Sequence, residues 1–203
     1  MEIKYSERYR LFQKIIRLIG FLCLLATGVL ILWLYHIGIL NDTNVLKKVI
    51  QRHDLLGPLI FIAIQIIQVV FPVIPGGLTT LVGFWVFGWW QGFIYNYVGI
   101  IIGSIILFLL VKQFGRKFIL LFVKEDIFFK YEQKLESKHF ENLFILSMLA
   151  PVSPADIMVM VTALTSISLK RFITIIVIAK PFSIIGYSAL WMFGGNWLKK
   201  FLR

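Results

Sequence analysis

The sequence predicts an all-α integral membrane protein, polytopic, with two opposed re-entrant helical hairpins arranged as an inverted repeat. Three observations carry this. Of 203 residues, 59% are hydrophobic and only 15% charged, against about 25% charged in soluble domains. The 21 Lys and Arg outnumber the 10 Asp and Glu and gather at the ends of uncharged stretches, where membrane proteins carry them. A Pro-Val-x-Pro break interrupts two of those stretches, as Pro72-Val73-Ile74-Pro75 and as Pro151-Val152-Ser153-Pro154. A mean hydropathy of +0.87 excludes both a water-soluble globule and a disordered chain. The same placement of basic residues argues against nucleic acid as a partner. Cys23 is the single cysteine, which excludes intrachain disulfides and a cysteine-based zinc site.

Residues 1–57 form a first unit. Lys4, Arg8, Arg10, Lys14 and Arg17 make the start basic, and residues 18–35 follow without any charge. That run is long enough to span a membrane and has no small-residue cleavage site after it. It reads as a retained helix with the N-terminus in the cytoplasm. Residues 41–56 are polar, and Asn41, Asp42 or Thr43 is suited to cap a short surface helix.

Residues 58–197 form the membrane domain, and 198–203 a basic tail with Lys199, Lys200 and Arg203. The stretch 58–90 has no formal charge and is broken near its middle by the first Pro motif. Each arm, about 14 residues, reaches about 21 Å as helix, short of the roughly 30 Å hydrocarbon core. A hairpin that enters and leaves on one side therefore fits better than two spans. Residues 92–111 form a span, with Gly99 and Gly103 giving a flat face for close packing. Residues 112–142 mix seven Lys/Arg and five Asp/Glu with Phe118, Phe122, Phe128 and Phe129, the pattern of an interfacial amphipathic segment. A second hairpin follows at 143–168. The C-terminal helix, 172–197, is interrupted at Lys180-Pro181, where the chain has room to turn back.

The two breaks share more than four letters. Each is followed by a short Thr-containing run and then a longer apolar segment, and one span separates them. An odd number of crossings places the hairpins on opposite faces, as in transporters built from inverted repeats. Broken backbone at membrane depth is tolerated where protein or a water-filled cavity satisfies it, so the breaks point to a substrate pathway.

Their chemistry follows from the residues. Pro75 suits the first helical position, and the amides of Gly76, Gly77 and Leu78 after it are left open, a ready site for an anion such as a lipid phosphate. In the second break Ser153 reads as an N-cap, Pro154 as the first helical residue and Asp156 as the far member of a capping box. Asp156 is also the only acid from residue 143 to the end. An ionised Asp in a bilayer is costly and is a functional candidate for proton coupling or headgroup contact. Lys180 is the matching basic oddity, able to pair with Asp156, to contact a phosphate or to snorkel to the surface. No His-Glu-x-x-His, Gly-x-Ser-x-Gly or P-loop motif occurs, and His36, His53 and His139 are scattered. No enzyme activity, cofactor or metal is expected.

These residues together resemble a known family. Phe71-Pro72-x-x-Pro75, Trp89-Trp90-x-Gly92-Phe93, Gly99-x-x-x-Gly103, Lys112-x-x-Gly115-Arg116 and Pro151-x-x-Pro154-x-Asp156 resemble the DedA superfamily, closest to its SNARE-associated Golgi protein or VTT domain branch. The resemblance covers residues 58 to 195. It implies two opposed re-entrant hairpins and a role in moving phospholipids or polyprenyl phosphate carriers between leaflets, in some bacterial members with the proton gradient. Two positions depart from the pattern. Met148 stands four residues after Phe144, where the family usually has Arg or Lys, and residues 58–90 lack the acids of the DedA branch proper, Asp54 lying just before them. Both weigh against proton coupling and a carrier-lipid substrate.

The expected function is a lipid translocase or scramblase in a bacterial plasma membrane, its partners being membrane lipids, with oligomerisation left open. Its lipid-binding residues would be Pro72, Pro75, Gly76, Gly77, Pro151, Ser153, Pro154 and Asp156, with Lys180 as a second contact. The alternatives are a non-transporting scaffold or assembly factor, and a proton-coupled small-solute transporter.

Overall fold

The structure, a computed structural model, describes residues 56–72, 76–136 and 139–201, with helical positions 7–9, 11, 13–16, 18, 22, 25 and 29 upstream. Of the expected first membrane helix, only Leu18, Leu22, Leu25 and Val29 fall among these, each exposed. The surface segment 41–55 and Pro75 lie outside the described residues.

Every regular element described is helical. Helix α1 is Leu56–Val70, α2 Gly76–Phe114, α3 Arg116–Phe122 and α4 Glu125–Glu132, followed by a 3-10 turn at Gln133–Glu136. Then come α5 (Phe140–Leu149), α6 (Ala155–Ala163) and α7 (Leu169–Phe201). Within the described residues, two helices are long and apolar enough to cross a membrane, Gly76–Phe114 and Leu169–Leu190.

Helix α2 is two helices. At Gly88 the backbone takes φ 79° and ψ 178°, a conformation that only glycine adopts without strain. The chain therefore folds back, and residues 76–87 lie against 89–114. The contact is so close that a Cβ on Gly92 would stand 2.5 Å from the Gly83 carbonyl oxygen. Asn96 Nδ2 ties the arms by donating to the Thr80 carbonyl at 3.0 Å. Exposed Trp85, Trp89 and Trp90 ring this turn, as aromatic residues do at a membrane–water interface.

Helix α1 packs on both arms. The Phe61 and Phe87 rings meet edge to face at 5.3 Å, while Thr79 Oγ1 donates to Gln68 Oε1 at 2.9 Å, so α1 runs antiparallel to 76–87. It runs parallel to 89–114, where Gly99 and Gly103 admit Gln65 and Val69. A Cβ on either glycine would come within 2.7 Å and 2.8 Å of those side chains' Cβ atoms. The Gly-x-x-x-Gly face thus works as a packing surface. The outer face of α1, with Leu59, Ile60, Ile64 and Ile67, is exposed; these residues suit lipid rather than water.

Helices α5 and α7 form a second packed pair. Arg171 Nε donates to Glu141 Oε1 at 2.7 Å, Phe144 and Phe172 stack at 5.7 Å, and Gly186 abuts Pro151. Helix α5 is thereby parallel to α7. The long helices of the two units are antiparallel, with Phe108 stacked on Phe172 at 4.2 Å and Tyr97 bonded to Val177. The core lies between the units and includes Leu107, Phe108, Ile119, Phe128, Phe144, Met158 and Phe172, each 1% exposed or less. In the segment after α2, Phe128 joins the core, while Lys124, Glu125, Asp126 and Lys130 are exposed.

One expectation is corrected. Lys180-Pro181 does not interrupt the last helix, which runs unbroken through it. A proline removes the hydrogen bond to the carbonyl four residues back, here that of Val177. The Tyr97 hydroxyl donates to this carbonyl at 3.0 Å. An external donor replaces the lost partner, and the helix continues.

Candidate functional site: a cavity between the two proline breaks

The two breaks meet at one cavity of about 950 Å³. From the first unit it is lined by the end of α1, Pro72 and the start of α2. The second unit contributes Ala150 to Ile157 and the middle of α7, and Phe122 to Lys124 close one edge. Of the residues singled out from the sequence, Pro72, Gly76, Gly77, Pro151, Ser153, Pro154, Asp156 and Lys180 all line it. Residues seventy or more positions apart are thus brought to one space.

On one side, α2 begins at Gly76. The Gly76 carbonyl accepts from both Thr79 Oγ1 and Thr80 Oγ1 at 2.9 Å, which holds the first turn. Gly77 is glycine for want of room: a Cβ there would overlap the Tyr187 hydroxyl, 2.0 Å away. Tyr187, from α7, therefore stands directly over the helix start.

On the other side, Ser153 does not cap α6. Its hydroxyl turns back and donates to the Ser147 carbonyl at 2.5 Å, and the cap position falls to Pro154, with no side-chain bond. The capping-box reading is corrected for a physical reason. Helix α5 ends just before the break and leaves carbonyls without partners, and one of them takes the serine proton first. Asp156 is then freed from a reciprocal cap. It stays in the first turn of α6, where the helix dipole favours an acid, and it lines the cavity.

Lys180 is 7% exposed and lines the same cavity as the half-buried Asp156. Among the described residues the two do not close into an ion pair; the pairs formed are Arg116–Glu132 and Arg171–Glu141. An acid and a base therefore line one largely apolar cavity without neutralising each other by contact. No cluster of His, Cys, Asp and Glu able to hold a metal occurs among the described residues.

Sequence reasoning passed over three lining residues. Gln65 and Gln68 are three apart on α1, hence on one helical face, and are the only amides in an otherwise apolar run. That signal was legible. Tyr187 gave none, because only the packing of α7 over Gly77 brings it to the site.

The sequence profile of the VTT domain matches residues 71–192, from the first break through most of α7. The chain belongs to the VTT domain family. Among known proteins this VTT-domain chain is similar to "Uncharacterized membrane protein YhjE" of Bacillus subtilis (strain 168), at 27% identity over 128 residues, 63% of this chain. The match spans 62% of that relative's length. No solved structure matches significantly. Both proline breaks, the Gly88 turn, Asp156 and Lys180 fall inside the matched residues, while Gln65, Gln68 and Val69 of the cavity wall lie just before them. The VTT-domain protein is a helical membrane protein.

Proposed function

We propose that this VTT-domain protein is a lipid translocase or scramblase that moves phospholipid or polyprenyl-phosphate lipids between the leaflets of a bacterial plasma membrane. One observation carries the reading: a cavity walled by both proline breaks is lined by an acid and a base, Asp156 and Lys180. Buried charges are expensive in a membrane and are kept for function. A headgroup needs charged or polar partners such as these along its path, while its acyl chains need none. The phosphate meets Lys180 and the amides at the start of α2, and the acyl chains remain in the bilayer along the exposed apolar faces. The chemistry involves no bond making, so the protein is a carrier and not an enzyme.

The membrane arrangement belongs to the same proposal. Helix α1 and residues 76–87 are each too short to span and return to the same end at Gly57 and Phe87, whose ring would lie 3.9 Å from a Cβ on Gly57. This supports a re-entrant hairpin. The antiparallel long helices support a second hairpin entering from the opposite face, the inverted repeat of transporters. Tyr9 and Gln13 hydrogen-bond to the carbonyls of Lys117 and Leu120. The basic N-terminal segment and the basic loop after α2 therefore share one side, which the positive-inside rule makes cytoplasmic.

The test is reconstitution of the full chain in lipid vesicles carrying an acyl-labelled phospholipid, with a membrane-impermeant quencher added outside. Translocation brings the quenched fraction from about half to nearly all. A quenched fraction equal to that of protein-free vesicles would favour the scaffold reading.

A further inference from the structure

One wall of the cavity has no role in the account above. Gln65, in the middle of α1, is completely buried (0% exposed) and lines the same space as Asp156 and Lys180. Both polar atoms of its amide, Nε2 and Oε1, lack a hydrogen-bond partner. Its neighbour one turn on, Gln68, is held by Thr79. Buried amides are almost always satisfied, and one left without both a donor and an acceptor is costly. Its position is fixed from behind, where Gly99 leaves room for the side chain's Cβ.

The chemistry of this amide selects what meets it. Nε2 offers hydrogens and Oε1 accepts them. A phosphodiester oxygen only accepts, an ammonium only donates, and a trimethylammonium does neither. A hydroxyl does both. We propose that the Gln65 end of the cavity is a headgroup-reading subsite, and that the lipid it takes carries a hydroxyl beyond its phosphate, as a glycerol headgroup does. Lys180 takes the phosphate, the Gln65 amide takes one hydroxyl, and Asp156 accepts from a second. This rests on the reading of the cavity as a headgroup site and adds the substrate class.

Binding decides it, independently of transport. The full chain in detergent is titrated with short-chain phosphatidylglycerol, phosphatidylpropanol and phosphatidylethanolamine, read by thermal shift. The first two carry the same net charge and differ only in two hydroxyls. The expected result is phosphatidylglycerol binding about tenfold tighter than phosphatidylpropanol, since a site built to bond a hydroxyl rejects the analogue without it. In Gln65→Met, which keeps the shape and removes both polar atoms, the difference disappears. Equal affinities in the wild type overturn the proposal with no variant needed. So does a preference that survives in a folded Gln65→Met protein, because the amide then serves only bound water. A glycerol preference in binding without movement in vesicles would leave the subsite standing and sink the translocase reading. Movement of all three lipids at one rate, with equal binding, would do the reverse.

Discussion

The Tyr97 hydroxyl donates to the Val177 carbonyl at 3.0 Å, and Pro181 is the reason that carbonyl is available. The bond joins the two long antiparallel helices one turn before Lys180, so it also steadies the wall that carries the cavity's base. Tyr97→Phe leaves the carbonyl without a donor in an apolar setting and is expected to cost about 1–3 kcal/mol. In a Pro181→Ala background the helix supplies its own N–H, and the same change should cost close to nothing. Unfolding of the four proteins of this double-mutant cycle in detergent measures the coupling. Equal cost of Tyr97→Phe in both backgrounds would mean that the hydroxyl does not substitute for the missing helical bond.

The fold-back of α2 rests on two glycines that fail in different ways. A Cβ on Gly92 meets backbone, the Gly83 carbonyl oxygen at 2.5 Å and the Phe84 Cα at 2.9 Å. Backbone cannot step aside, so Gly92→Ala must separate the arms and should cost about 3 kcal/mol or more. A Cβ on Gly88 meets nothing within 4 Å, and Gly88→Ala carries only the strain of a backbone region that glycine alone adopts freely, about 1–3 kcal/mol. Thermal unfolding should therefore rank Gly92→Ala below Gly88→Ala. The opposite ranking would place the constraint in the turn and not in the packing.

Much of this architecture was legible because apolar runs and prolines are strong signals in a membrane chain. The two breaks, the span between them and the packing face of Gly99 and Gly103 follow from charge-free length and residue size. What was not legible depends on contacts between distant residues. Nothing local says that Tyr97 will repair the helix at Pro181, so Lys180-Pro181 read as an interruption. Nothing local says that the Ser147 carbonyl will take the Ser153 hydroxyl ahead of the α6 amides. The turn between the hairpin 58–90 and the span from 92 was legible to within a few residues, while its seat at Gly88 was not, because Gly92 suits a turn equally well. At the site, charged and proline residues stand out against an apolar background, and the Gln65 and Gln68 amides do so by the same logic, whereas Tyr187 leaves no local mark.

Facing breaks imply proximity that can be trapped. With Cys23 replaced, cysteines at Gly76 and Ser153, which line one cavity, should be joined by a short bifunctional maleimide. Cysteines at Gly76 and Leu59 should not, since Leu59 faces outward on α1. The linkage is read as a mobility shift after cleavage of an inserted protease site between the two positions. Failure of the first pair, with each single cysteine still reactive, would separate the breaks and dissolve the shared cavity.

The last expectation concerns Asp156 and Lys180, whose roles in stability and in transport can be pulled apart. Each charge sits in the other's field inside an apolar protein. Removing one leaves the other without its opposite charge nearby, which should lower stability. Asp156→Asn keeps the size and an acceptor oxygen, so it preserves packing while deleting the charge. It should destabilise the protein and abolish lipid movement, and Lys180→Met should do the same. The double variant, Asp156→Asn with Lys180→Met, removes both charges and should recover most of the stability. If the charges serve only the fold, lipid movement returns with the stability. If they hold the headgroup, the double variant is stable and inactive, which is the expected result. Unfolding in detergent and quencher accessibility in vesicles, measured on the same four proteins, distinguish the two, and a stable double variant that moves lipid at the wild-type rate would remove Asp156 and Lys180 from the pathway.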